Sequence, residues 1–268
     1  MTFKDWVNYG NYEVYTGKLR ALASGDLPLE RWSYAGRDDY GILKNYISFT
    51  FEKLWREREE VEEDEEKQKI IYIDEKVACF NTGLFNKTWQ PIYFFCEKNP
   101  KEGVQPWRFK NFFNEFTIQG MNIPTTAVKD LKRANYFADP SLLIYDVNLD
   151  IIPQLNHILY DEENFNRIPE QLRVNGRDFC GSLIIGSIDK VKKRIQANYK
   201  TVVPQYYKGK IQLLVPLYLS NDNDPDLALV LSLNDDRTAY KGHTCLTKEM
   251  AYNNARLIAR PDSYWLCP

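Results

Sequence analysis

Apolar residues recur at helical spacing in two N-terminal stretches. Residues 12–24 and 38–62 read as helices, the second carrying Ile42, Tyr46, Phe49 and Lys53 on one stripe before it runs into an acidic block. From residue 70 the pattern changes to short runs rich in β-branched and aromatic residues. Ile70-Ile71-Tyr72-Ile73, Val77-Ala78-Cys79-Phe80 and Ile92-Tyr93-Phe94-Phe95 predict strands, with a hairpin or longer turn from Gly83 to Gln90. Leu142-Leu143-Ile144-Tyr145 reads as a further strand and residues 150–160 as a helix. A longer helix is expected over 178–198, where Ile184, Ile188, Val191 and Ile195 follow one face. Ile211–Leu219 and Leu227–Leu233 are strands on either side of the polar turn Asn221-Asp222-Asn223-Asp224-Pro225. A strand over 238–246 and a helix over 248–259, with Thr247 placed as its N-cap, complete the pattern.

These elements predict an α+β fold: a mostly antiparallel sheet of about five to seven strands with packed helices. Residues 1–66 form an N-terminal helical extension with an acidic end, and residues 67–268 one compact core domain. No internal repeat is visible. The chain's 268 residues, 44% hydrophobic and 14% aromatic, suffice for a sizeable buried core. Its longest apolar runs, such as Leu183-Ile184-Ile185, fall far short of the roughly 20 residues that span a membrane. Met1-Thr2-Phe3-Lys4-Asp5 lacks the apolar core of a signal peptide. Cys79, Cys96, Cys180, Cys245 and Cys267 are widely spaced, with no metal-ligand pair, which predicts reduced thiols in a cytoplasmic protein.

A net charge of −2 conceals two opposed segments. Residues 57–66 hold eight acids and one base, Arg58, and read as a solvated helix end or connector. Between 189 and 210, Lys190, Lys192, Lys193, Arg194, Lys200, Lys208 and Lys210 face only Asp189. Such a patch suits phosphate binding, although a solvated helix face explains it as simply.

No phosphate-binding loop, dinucleotide fingerprint, His-Glu-x-x-His, paired-cysteine zinc pattern or serine nucleophile elbow occurs. With two histidines in all, a multi-histidine metal site is excluded, and the sequence leaves any cofactor unknown. His157 is the candidate acid–base, with Arg167 nearby as a phosphate holder; the plainer reading is a structural histidine at a helix edge. Asn198 falls on the inward stripe after Ile195, and Lys200, Gln205 and Tyr206 follow it. Asn254 lies on an apolar stripe between Met250 and Leu257, while Tyr252 and Arg256 share another face. These residues either converge on a ligand or form an amide network, with Arg256 bridging to Asp262. Pro225-Asp226 before a strand suggests a metal-dependent nuclease start, but the segment 234–241 lacks the Glu-x-Lys spacing that chemistry needs.

Four ordered motifs carry a family resemblance: Phe80-Asn81-Thr82-Gly83-Leu84 with Gln90-Pro91-Ile92-Tyr93; Asn198-Tyr199-Lys200 with Pro204-Gln205-Tyr206-Tyr207; Pro225-Asp226-Leu227-Ala228-Leu229-Val230; and Ala251-Tyr252-Asn253-Asn254-Ala255-Arg256-Leu257-Ile258 with Arg260-Pro261-Asp262-Ser263. Together they resemble DUF3825, a bacterial domain family of unknown function, from about residue 33 onward. The acidic block is not a family feature. Members fused to cold-shock-type or other RNA-binding modules imply an RNA-associated context, by association alone.

The leading expectation is a cytosolic RNA- or nucleotide-binding domain, extending to RNA processing. Its ligand-binding residues are Asn198, Lys200, Gln205, Tyr206, Tyr252, Asn254, Arg256 and Arg167. Cations would neutralise phosphate, tyrosines would stack on bases and amides would read base edges. Two alternatives stay open. One is a metal-independent phosphoesterase or nucleotidyl-transfer enzyme using His157. The other is a protein-interaction or defence-associated module using the acidic segment.

Overall fold

The computed structural model describes residues 1–119, 125–261 and 264–266. The chain forms two compact units, Met1–Asn135 and Tyr136–Pro268. Among the described residues the strands form two five-stranded sheets, one in each unit, rather than one sheet of five to seven. The α+β class expected from the sequence holds.

The first unit opens with α1 (Phe3–Trp6) and β1 (Val7–Asn8). Asn11 Oδ1 accepts from the N–H groups of Glu13 and Val14 and so caps α2 (Tyr12–Ala21), which runs into a π-helical turn at Leu22–Asp26. Next come α3 (Gly41–Glu59), α4 (Asp64–Ile70), β2 (Ile71–Ile73), β3 (Val77–Phe85), β4 (Pro91–Lys98), β5 (Trp107–Asn114), α5 (Glu115–Gln119) and α6 (Thr125–Lys129). The sheet order is β1-β5-β4-β3-β2, with β1 parallel to β5 and the other pairs antiparallel. Phe80 and Phe94 face α1 and α3, within an aromatic cluster that includes Phe3, Trp6 and Phe51. Their neighbours Cys79, Tyr93 and Phe95 point the other way and pack with Ile118, Val128 and Leu131. Both faces are covered, so these strands read as continuous apolar runs instead of alternating ones. Phe3, Trp6 and Phe51 lie before the expected boundary at residue 66, and that boundary falls inside this unit.

The second unit differs from expectation at its start. Leu142–Tyr145 is not a strand: Pro140 and the Asp139 carboxylate, accepting from Ser141 N–H, set up a 3-10 turn over Pro140–Leu143. Residues 150–160 split into β6 (Asp150–Pro153) and α7 (Leu155–Tyr160). Two short helices, α8 (Glu162–Phe165) and α9 (Glu170–Arg173), lead to α10 (Arg177–Ala197). Then follow β7 (Val203–Tyr207), β8 (Lys210–Leu217), β9 (Leu227–Leu233), β10 (Ala239–Leu246) and α11 (Lys248–Ala255), whose first turn is capped by Thr247 Oγ1 accepting from Met250 N–H. Ile184, Ile188, Val191 and Ile195 of α10 share a core with Leu213, Leu229 and Leu231. Gln205 and Gln212 alternate with that face, and α11 reaches them from the opposite side through Asn254.

The order of this sheet is β6-β10-β9-β8-β7, with β6 parallel to β10 and the remainder antiparallel. The two units therefore repeat one plan: a first strand parallel to the last, helices that include one long one, a four-strand meander, then a helix. The sequence shows no internal repeat, whereas the strand order does repeat.

Candidate functional site

The segment after α10 is where the structure departs most from helical phasing. α10 ends at Ala197, and Asn198 takes extended backbone angles. It therefore leaves the inward stripe and is exposed, and its Oδ1 accepts from Lys200 N–H to cap the turn Tyr199–Thr201. Gln205 is buried. Asn254 Nδ2 donates to Gln205 Oε1 (3.1 Å), Gln205 Nε2 to Gln212 Oε1 (3.0 Å), and Gln212 Nε2 to Ser232 Oγ (2.9 Å). A polar ladder thus crosses from α11 over β7 and β8 to β9. Asn254 and Gln205 do come together, as an amide network.

Tyr206 is buried edge-on against Tyr136, with ring centroids 5.0 Å apart, and Tyr252 is buried as well. Neither presents a face to a base. Tyr199, 66% exposed, does. It lines a cleft of about 360 Å³ with Lys200 and Arg260, over a floor that includes Val203, Pro204 and Ile258. Lys200 is the one predicted ligand-binding residue on its wall. Tyr199 and Arg260 are the residues that sequence reasoning passed over; the signal was an aromatic at a helix exit, beside a lysine. Arg256 is half-buried beyond the end of α11, and Asp262, its suggested partner, lies outside the described residues.

His157 and Arg167 meet around the buried Asn164. Its Nδ2 lies 3.3 Å from both His157 Nε2 and the His157 carbonyl, and its Oδ1 accepts from Thr244 Oγ1 at 2.6 Å. Arg167 donates to the Cys245 carbonyl (2.9 Å), to Thr244 Oγ1 (3.3 Å) and to Glu163 (2.6 Å). Its guanidinium fastens α8 to β10.

Three cations of the basic stretch, all on α10, are engaged within the fold. Lys190 pairs with Asp222, Lys192 with Asp150, and Arg194 stacks over Tyr218 while donating to the Asp222 carbonyl. The acids of the polar turn are likewise engaged: Asp224 pairs with Lys248, and Asp226 accepts from Leu219 N–H, Ser220 N–H and Ser220 Oγ. Asp226 is a turn lock. Among the described residues no group of three or more His, Cys, Asp or Glu side chains is placed to hold a metal ion.

The second histidine occupies a distinctive position. Leu231 pairs with Gly242 and Val230 with Thr244, which leaves His243 as the extra residue of a β-bulge. Its Nδ1 lies 3.4 Å from Gln154 Oε1. Burial, then the positive charges of Lys241, His157 and Lys210, push its pKa below the usual histidine value. The first sheet also has a bulge on the matching strand, where Lys110 is the extra residue and pairs with Glu97.

Comparison with known proteins bears on the whole chain. Residues 26–265 match the family described as a domain of unknown function, DUF3825. The chain belongs to that family. The family's span begins at 26, ahead of the resemblance visible from residue 33, and runs across both units. Its motifs in the first unit are structural: Asn81 Oδ1 accepts from Gly83 N–H, and Thr82 Oγ1 donates to the Ile92 carbonyl (2.6 Å), fixing the irregularity within β3 where Gly83 adopts φ +76°. Searches of curated proteins and of solved structures give no match.

Proposed function

We propose that the second unit binds a nucleotide or a short single-stranded RNA segment in the cleft beside Tyr199. The observation that carries this reading is an exposed tyrosine lining one cleft with two cations, Lys200 and Arg260, and with the apolar Val203, Pro204 and Ile258. Aromatic faces stack on bases without regard to sequence, and lysine and arginine neutralise the adjoining phosphates. The buried amide ladder holds β7 and α11, which form two walls of the cleft. The RNA-associated context implied by the family resemblance points the same way. The buried free thiols Cys79, Cys96, Cys180 and Cys245 suit a cytoplasmic setting.

The test is fluorescence titration of the full chain with a labelled short oligoadenylate. Saturable binding that weakens as salt rises is expected. Tyr199→Ala should weaken it about tenfold, the size of one base stack, and Arg260→Ala should flatten its salt dependence. An absence of saturable binding, or a Tyr199→Ala variant with unaltered affinity, rejects the reading.

A further inference from the structure

A second cleft, of about 630 Å³, lies over the ends of β8, β9 and β10, and its walls include Lys210, Gln212, Ser232, Asp235, Lys241 and His243. Three features of it point to one kind of ligand. The first is charge. Lys210 and Lys241 have no ion-pair partner among the described residues, whereas Lys190, Lys192 and Arg194 of α10 are all engaged. One carboxylate, that of Asp235, shares the walls with them.

The second is the direction of the polar ladder. Asn254, Gln205 and Gln212 each donate forward, and the chain ends on Ser232 Oγ as an acceptor. The Ser232 hydroxyl proton is then left to donate into the cleft. A relay that ends in a donor beside two ammonium groups is matched by an acceptor-only anion.

The third is the bulge. It adds His243 to the same wall as Lys241, and Gln154 Oε1 engages Nδ1 so that Nε2 is the outward nitrogen. We infer that this cleft is a phosphate site, taking a phosphate or diphosphate anion through Lys210, Lys241, Ser232 and His243. Such an anion is available either as free pyrophosphate or as the backbone of an RNA strand.

The site should respond to pH. The titratable and charged groups facing His243 are Lys241 on its own strand, Lys210 on β8 and His157 on α7, with neutral Gln154 also on the α7 side. Burial and the two lysines, with His157 when it is protonated, disfavour the imidazolium and hold the His243 pKa below its ordinary value. A bound anion reverses that balance and raises its pKa, so binding takes up a proton and tightens as pH falls.

Calorimetric titration of the full chain with inorganic pyrophosphate tests the assignment. We expect saturable binding, lost by tenfold or more in the Lys210→Ala/Lys241→Ala double variant, which changes exposed side chains and should melt like the parent. Binding should be tighter at about pH 6 than at about pH 8, and His243→Gln should remove that difference. Competition with oligoadenylate then separates the sources: displacement of pyrophosphate assigns the site to an RNA backbone, and no displacement assigns it to a free anion. Pyrophosphate has no base to stack on Tyr199, so failure here and failure of the Tyr199 cleft are separate results. The phosphate site is overturned by absent pyrophosphate binding, or by binding that the double lysine variant leaves intact.

Discussion

Gln205 shows how a single side chain can be central without touching any ligand. It is buried, it accepts from Asn254 and it donates to Gln212. Gln205→Leu would leave Asn254 on α11 and Gln212 in the sheet without their mate. Unpaired buried polar groups cost about 1–3 kcal/mol, so the variant should melt several degrees lower by calorimetry. Its effect on oligoadenylate binding should only follow the loss of folded protein. An unaltered melting temperature would mean that the ladder contributes no stability. The sequence placed Asn254 and Gln205 among the candidates because amides on apolar stripes need partners. It could not supply Gln212 and Ser232, which complete the ladder through cross-strand register. Asn198 misled for a local reason: helical phase carries meaning only while the helix lasts, and α10 stops one residue earlier.

At the scale of elements, the acidic joint between α3 and α4 is more than a solvated surface. Glu59, Glu60, Glu62, Glu63, Asp64 and Glu65 are exposed, as the composition led one to expect. Glu57, however, pairs with Lys53 and accepts from Asn135 N–H, and Glu66 pairs with Lys69 and Lys132. These contacts staple the joint to the segment 129–135. Hydrogen bonds from Lys132 and Lys69 push the Glu66 carboxyl down to about 2, from an ordinary value of 4.5. A carboxyl depressed in the folded state adds stability above its unfolded value and loses it as pH falls toward the folded one. Thermal melts between pH 4.5 and about 2 should therefore decline less steeply for Glu66→Gln than for the parent chain. The contribution is small, since exposed ion pairs are screened, and added salt should shrink it. Parallel acid curves for the two proteins would remove the staple. Most elements were legible from periodicity because the apolar runs are long relative to the turns. β5 was missed because Arg108 and Lys110 interrupt its apolar residues, and β6 because it ends at Pro153 and α7 follows almost at once, blurring a four-residue strand into a helix.

Across the whole molecule, each unit pairs its first strand with its last: Val7 with Trp107, and Asp150 with Ala239. That arrangement sets the timetable of synthesis. A chain leaving the ribosome cannot complete either sheet until the end of the corresponding meander has been made, because β1 waits for β5 and β6 waits for β10. Contacts so distant in sequence form late and carry a large loop-closure cost. Protease protection of stalled nascent chains should consequently rise in two steps, one after the strand ending at Asn114 has emerged and one after the strand ending at Leu246. A single rise at full length would show that the first unit waits for the second. Between the two steps the ribosome would carry one finished unit and one unfinished one, whose first edge strand is made but has no neighbour. That interval, set by where a strand lies in the sequence and not by how well it packs, is when the chain is most open to mispairing and most in need of a chaperone.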